Sequence, residues 1–147
     1  MEVYVACPYS HEVGGVRRMR SVIATRYAAK LWAGGVSAFS PLTHNHGLAS
    51  ICPKDYEPVR ADFGGWEKII EFDLEILSLC QQVHVLELPG WEHSRGVRRE
   101  INYAIKAGKG MGVAQIDVSK IEQFLQIDHG TIEKIMAENV LAEEQKK

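Results

Sequence analysis

One stretch, residues 83–100, constrains the fold more than any other part of this sequence. It begins with an apolar, strand-like run at 83–88, breaks at Pro89-Gly90, and enters a helical pattern at about 94–107. The inward face of that helix is expected to carry Val97, Ile101, Ala104 and Ile105, with Glu100 beside them. Open α/β folds form ligand sites where a buried strand ends in such a loop, because the strand's carboxyl end meets the N-terminus of the next helix. We therefore expect a ligand site around Glu100.

The rest of the chain alternates between strand and helix patterns. Strands are predicted at 2–7, 36–40 and 111–116, and helices from 16 to the Gly34-Gly35 stop and at 66–80. Short joints between a strand, a helix and the next strand favour parallel pairs with crossover helices. The prediction is an α/β fold of the flavodoxin or Rossmann type, with an open parallel sheet of four to five strands in the order 2-1-3-4.

This strand order predicts a crevice at the carboxyl edge of the sheet. The switch point of a 2-1-3-4 sheet lies between the first and third strands. The loop after the first strand, 7–10, would then face the loop after the third, 89–96. Substrate-binding candidates in these two loops are Cys7, Pro8, Tyr9, Gly90, Ser94 and Gly96.

A second acidic residue lies on the apolar face of the helix predicted at 66–80. Asp73 is four residues after Ile69 and four before Leu77, on the face that should be buried. Burying a carboxylate without a partner is costly. Asp73 therefore has either a structural partner, such as a buried arginine, or a task in the same crevice.

Residues 41–65 show no clear period and contain Pro, Gly, Asn and Asp throughout. A loop of this length in a small domain is usually functional or disordered. We interpret it as a lid or specificity loop, with a short helix as an alternative for part of it. His44 and His46 have no third ligand nearby in sequence, so no metal site is predicted.

The composition fits a single soluble α/β domain. The 147 residues are 46% hydrophobic and 24% charged, with a formal net charge of -2, so no partner of the nucleic-acid polymer type is expected. No apolar run approaches the ~20 residues that span a bilayer, so no membrane partner is expected. The N-terminus lacks signal-peptide features, and Cys7 and Cys80 fall in apolar patterns typical of buried thiols. We expect a cytoplasmic protein without a cofactor.

Two carboxyls and a serine at a helix start suggest chemistry on a sugar. An ionised Glu100 is a competent nucleophile toward an anomeric carbon, and the resulting ester is resolved by a second nucleophile. Asp73, if burial raises its pKa, can carry a proton for the departing group. Ser94 and neighbouring backbone N–H groups can bind a phosphate or a hydroxyl, and Gly96 allows close approach. The plainer alternatives are a first-turn helix acid for Glu100 and a simple N-cap for Ser94.

Four motifs together resemble one family. They are YVACPYS, SPLTH, D-x3-L-x2-C and LPGWExSxGVxxE, and they fall within about residues 1–114. The chain resembles bacterial and phage proteins of unassigned function that are related to the nucleoside 2-deoxyribosyltransferases and the 2'-deoxynucleoside 5'-phosphate N-hydrolases.

The resemblance implies a role for each matching residue. Glu100 matches the catalytic nucleophile, Asp73 the acid that works with it, and Ser94 a serine near the 5'-phosphate. Tyr9 matches a loop that contacts sugar or base, and His44 falls near a base-side loop. The implied function is hydrolysis of the base–sugar bond of a (deoxy)nucleoside 5'-monophosphate. A deoxyribosyltransferase and a non-catalytic nucleotide-binding module stay open as alternatives. The PGWEH segment departs from the characterised enzymes, which limits what their substrates imply here.

The last 31 residues form a separate part of the prediction. We divide the chain into a domain at 1–116 and a helical extension at 117–147. Ser119 and Glu122 form a capping box for one helix, and a second is expected at about 131–144. The extension would pack on the sheet or on another subunit, and the resemblance implies a homodimer or homotetramer.

Overall fold

Four parallel strands form one sheet in this computed structural model, which describes residues 1–12, 14–54, 56 and 65–116. The strands are β1 (Val3–Ala6), β2 (Ala38–Phe39), β3 (Gln82–Glu87) and β4 (Gly110–Gln115), and their order is β2-β1-β3-β4. The predicted α/β class and the 2-1-3-4 order are therefore confirmed. The predicted tail helices lie outside the described residues.

Helices connect the strands and cover the sheet. They are α1 (Gly14–Ala33), α2 (Pro41–Ile51), α3 (Trp66–Ser78) and α4 (Arg95–Lys106), and a short 3-10 turn (Trp91–His93) precedes α4. The bounds of the predicted helices agree within two residues. None of the described helices combines the length and the apolar character needed to cross a bilayer.

Strand alternation divides the core into two halves. On one side of the sheet, Val3 and Val5 of β1 pack with Met19 and Ile23 of α1. On the other side, Tyr4 and Ala6 pack in a cluster that includes residues of α3 and α4. Because successive strand residues point to opposite faces, Tyr4 is directed toward the two helices that carry the candidate acids.

For the first part of residues 41–65 the alternative of a short helix is correct, because Pro41–Ile51 form helix α2. Ser40 caps the helix by accepting a hydrogen bond from the backbone N–H of Thr43 at 3.3 Å, and Pro41 occupies the first turn. Only Pro41 and Leu42 of this helix are buried. With so few buried positions, no repeating apolar face was visible in the sequence.

Two side chains point opposite to the prediction. Ile105 was expected to face inward but is 64% exposed, because it lies at the edge of the face that α4 turns toward the sheet. The helical pattern of this segment predicts that its arginines, Arg20 among them, lie mostly on the faces away from the apolar one. Arg20 is instead buried. It lies four residues after the buried Val16, on the apolar face of the helix.

A polar pair fits between α1 and the sheet because one strand residue has no side chain. His84 of β3 lies with its Nδ1 atom 2.8 Å from the hydroxyl of Tyr27. Its neighbour across the ladder is Gly112 of β4. A Cβ atom at Gly112 would lie 2.9 Å from Cδ2 of the His84 ring, so the ring occupies the space that any larger residue would need.

We predict that Gly112→Ala destabilises the protein by about 1–3 kcal/mol, because the new methyl group displaces the His84 ring from Tyr27. Gly47→Ala is the matched control. Gly47 lies within α2 with nothing close to its virtual Cβ, so this change should stabilise the protein by about 0.5–1 kcal/mol. Urea unfolding of both variants measures the two effects, and equal midpoints would contradict the assignment.

Candidate active site

Glu100 lies in the interior of the protein, on the face of α4 that packs against the sheet. Its side chain is 4% exposed, although it is a carboxyl group one turn into an amphipathic helix. The buried neighbours of Glu100 on α4 are Val97 and Ala104, which fix this face inward. The alternative of an ordinary surface acid in the first helical turn does not describe this geometry.

A buried tyrosine holds Glu100. The hydroxyl of Tyr4 donates a hydrogen bond of 2.6 Å to Oε1 of Glu100. Tyr4 is completely buried in the middle of β1. Burial raises the pKa of Tyr4 first, and the negative charges of Glu100 and Asp73 raise it further, so the phenol remains a donor. A short bond from a neutral donor to one carboxyl oxygen leaves the other oxygen available for chemistry.

Asp73 of α3 is the second buried carboxyl, at 6% exposure. Its partner is an asparagine rather than a buried arginine. The Nδ2 group of Asn45 lies 3.5 Å from Oδ1 and 3.4 Å from Oδ2 of Asp73, which is a long, shared contact. The charge of Asp73 acts on Glu100, so the two acids belong to one electrostatic unit.

Burial dominates the protonation of both acids. It raises the pKa of Asp73 to about 6, against weaker opposing effects from the Asn45 hydrogen bond and the charge of His44. It raises the pKa of Glu100 to about 8, with the Tyr4 hydrogen bond acting in the opposite direction and the charge of Asp73 adding to the rise. Between these values the pair holds one proton, so it contains an acid and a base at neutral pH.

Arg20 ties together the two loops that border the crevice. Its guanidinium donates to the backbone carbonyl of Ser10 at 3.1 Å and to that of Pro89 at 2.9 Å. Ser10 follows β1 and Pro89 follows β3, so one buried side chain sets the distance between the loops at the switch point. Arg20 belongs to neither loop, and its two hydrogen bonds explain why the loops face one another.

The first two residues of the loop after β1 have buried side chains. Cys7 and Pro8 are buried, and the thiol of Cys7 packs in the core on the α1 side, where it contacts the carbonyls of Pro8 and Arg20. Burial raises the pKa of Cys7, so it is a neutral thiol. The side chain of Cys7 therefore is not in position to contact a substrate.

The loop after β3 turns sharply before α4. Gly90 adopts a left-handed conformation, with φ of 89°, which a residue with a side chain rarely takes. Ser94 caps α4 by accepting from the N–H of Val97 at 3.3 Å. The Ser94 hydroxyl hydrogen stays available to donate, so the capping role and a ligand-binding role are compatible. Gly96 is half-buried in the first turn of α4.

Helix α2 forms another wall of this region. The hydroxyl of Tyr9 lies 2.7 Å from Nδ1 of His46, which joins the loop after β1 to α2. Burial lowers the pKa of His46, and the charges of Arg17 and Arg18 lower it further. His44 is exposed and its ring lies between two phenylalanines; the ring centroids are 6.4 Å from Phe39 and 5.9 Å from Phe72.

Three residues of this region were missed by the sequence analysis. Arg20 carried a readable signal, because it stands on the apolar face of α1 as Asp73 does on α3. Tyr4 carried none, since an aromatic residue in a buried strand is ordinary. Asn45 lay in a segment without a period. The described residues contain no group of three or more His, Cys, Asp or Glu placed to hold a metal ion.

Comparison with known families assigns the domain but no activity. Residues 1–116 match the domain of unknown function DUF1937. The chain belongs to this family. No match was found among curated protein sequences. In this DUF1937 domain the candidate site is formed by three different elements, which contribute Tyr4, Asp73 and Glu100.

We predict that Glu100→Gln stabilises this DUF1937 domain by roughly 2–4 kcal/mol at pH 7. The folded protein raises the pKa of Glu100 from 4.5 to about 8, so the folded state binds more protons than the unfolded state in that window. The contribution of Glu100 to the free energy of unfolding is therefore highest below pH 4.5. It falls as the pH rises to about 8. Glutamine keeps an acceptor for Tyr4 and removes this dependence.

Chemical denaturation between about pH 5 and pH 8 measures the effect. The control is Glu75→Gln, since Glu75 is an exposed glutamate of α3. The control should follow the parent protein at every pH. A Glu100→Gln protein with the parent's slope would contradict the buried, proton-retaining state of Glu100.

Proposed function

We propose that this domain is an N-glycosidase that hydrolyses the base–sugar bond of a (deoxy)nucleoside 5'-monophosphate. The observation that carries the proposal is the pair of buried acids, Glu100 and Asp73, which lie on two helices that pack in the same core cluster. Burial raises the pKa of both acids, so one of them can keep a proton at neutral pH. Glycosidases use two carboxyl groups in this way, one as a nucleophile and one as an acid. The resemblance of the S-x-G-V-x-x-E motif to nucleotide N-hydrolases supports the same choice.

In the first step Glu100 attacks C1' of the sugar. A bond forms between a carboxylate oxygen and C1', and the bond from C1' to the base nitrogen breaks with its electron pair leaving on the base. Asp73 gives its proton to the departing base. The Tyr4 hydroxyl supports this step because its hydrogen bond to Oε1 holds the carboxylate in one orientation.

In the second step water resolves the ester. Asp73, now ionised, takes a proton from the water as the oxygen attacks C1', and Glu100 leaves as a carboxylate. The products are the free base and a (deoxy)ribose 5-phosphate, and both acids return to their starting state. The same residue thus acts first as an acid and then as a base.

The first step needs Glu100 ionised and Asp73 protonated. In the empty site the order of the pKa values favours the proton on Glu100. In the proposed mechanism the reaction proceeds from the state with the proton on Asp73, and positive charge that develops at C1' in the transition state stabilises the Glu100 carboxylate beside it. The Tyr4 hydrogen bond acts in the same direction, since it lowers the pKa of Glu100.

Ser94 is the proposed contact for the phosphate. It stands at the N-terminus of α4, where backbone N–H groups favour an anion, and its hydroxyl hydrogen is available. Phe39, His44 and Phe72 line the neighbouring wall with rings, to which a planar base can stack.

We predict that Glu100→Ala abolishes release of base from nucleoside 5'-monophosphates, by several orders of magnitude in kcat. The assay scores free base by chromatography over a panel of nucleotides and the corresponding nucleosides. Mass spectrometry of the parent protein with a slow 2'-fluoro nucleotide should locate the trapped sugar on Glu100. An adduct on Asp73, or full activity of Glu100→Ala, would sink the assignment of the nucleophile.

The same assay separates the alternatives. A free acceptor base that appears in a new nucleotide product would identify a deoxyribosyltransferase. Nucleotide binding without release of base in any reaction would identify a non-catalytic binding module.

We predict that Tyr4→Phe lowers kcat/KM at pH 7 by roughly 10- to 100-fold, which corresponds to the loss of one hydrogen bond to a charged group. The change should also raise the pKa of Glu100 above about 8, because the Tyr4 bond lowers it. The alkaline limb of the pH–rate profile should move to higher pH accordingly. Tyr103→Phe is the control, since Tyr103 packs against the same core cluster. A profile unchanged from the parent would show that Tyr4 is only a packing residue.

A further inference from the structure

Asn45 is the described side chain in hydrogen-bond contact with Asp73, and nothing in the sequence analysis assigned it a role. Its amide group reaches both oxygens of the carboxylate at nearly equal distances, 3.5 Å and 3.4 Å. A donor shared between two oxygens favours the ionised carboxyl, in which both are acceptors, over the protonated one, in which one oxygen carries a hydrogen. Asn45 thus acts on the charge of Asp73.

A second contact fixes which end of the Asn45 amide faces the acid. Oδ1 of Asn45 lies 3.0 Å from Nδ1 of His44. Because an amide oxygen only accepts, the His44 nitrogen must be the donor. The contacts therefore form a chain in which His44 donates to the amide oxygen of Asn45, and the amide nitrogen of Asn45 donates to Asp73.

The ring of His44 has two aromatic neighbours. It lies between Phe39 of β2 and Phe72 of α3, with interplanar angles of 42° and 32°. Phe72 is the residue before Asp73 in α3, so the same helix that presents the acid also supports the histidine. The chain of contacts thus joins α2 to α3.

The charged and titratable groups that face Asp73 come from three other elements among the described residues. Tyr4 comes from β1, Glu100 from α4 and His44 from α2. Burial favours the protonated form of Asp73, while the Asn45 hydrogen bond and the charge of His44 favour the carboxylate. Asn45 does not titrate, so its effect on the pKa of Asp73 does not depend on its own protonation.

We propose that Asn45, oriented by His44, is a positioning residue that holds Asp73 ready to release its proton and stabilises the carboxylate left behind. This inference rests on the proposed function for its catalytic meaning, since Asp73 is the proposed proton donor to the departing base. Helix α2 is then part of the catalytic apparatus and not only a wall of the crevice.

The test is the titration of Asp73 itself, followed by NMR of the side-chain carboxyl carbon in protein labelled at aspartate. The background is Glu100→Gln, because removing the second acid turns a coupled titration into a single one. The signal is assigned by its loss in Asp73→Asn. No substrate is present, so the result does not depend on whether the protein is an N-glycosidase.

The expected result is an ordered series. Asn45→Ala should raise the pKa of Asp73 by about 0.5–1 pH unit, the value expected for a long hydrogen bond to a charged group. Asn45→Asp should raise it further, because a second carboxylate replaces the donor. His44→Phe keeps a ring between the phenylalanines and removes both the Nδ1 donor and the charge of His44, so it should also raise the pKa of Asp73, but by less than Asn45→Ala.

Asn102→Ala is the matched control, an exposed asparagine of α4, and it should leave the titration unchanged. Backbone amide spectra establish that each variant is folded. An Asp73 titration in Asn45→Ala that coincides with the Glu100→Gln background would overturn the proposal. Absence of base release in the parent protein would instead count against the proposed function and leave the titration result standing.

Discussion

The hydrogen bond from Tyr4 to Glu100 is the interaction on which this structure depends most. It joins the central strand to α4 at a point where both partners are almost completely buried. A buried carboxyl without a partner would be excluded from such an interior. With the tyrosine as a donor and a proton retained to high pH, the acid is tolerated there. Tyr4 and Glu100 are therefore at once core residues and residues of the candidate site.

That arrangement implies a conflict between stability and function. Two acids whose pKa values are raised by burial make the folded state less stable at neutral pH than neutral isosteres would. Natural proteins retain such groups at sites where chemistry needs them. Among the described carboxyl groups this cost falls on Glu100 and Asp73, while the two clusters on either side of the sheet consist of buried hydrophobic residues.

Arg20 and Asn45 both support the site by hydrogen bonds from its surroundings. Arg20 fixes the backbone of the two loops that follow β1 and β3, through their carbonyl groups. Asn45 contacts the carboxylate of Asp73 and is oriented by His44. Neither would be recognised by the residue types that usually indicate catalysis. Both show how residues other than the two buried acids affect the geometry and the charge of the candidate site.

The sequence by itself determined the strand order, the positions of the loops after β1 and β3, and the burial of Asp73, because apolar periodicity and short connections leave few alternatives for an α/β chain. It also indicated Glu100 through a motif. Only the tertiary structure showed that Tyr4 binds Glu100, that Asn45 binds Asp73, and that residues 41–51 form a helix. These contacts join residues 96 and 28 positions apart, and such pairings depend on how the elements pack rather than on any local pattern.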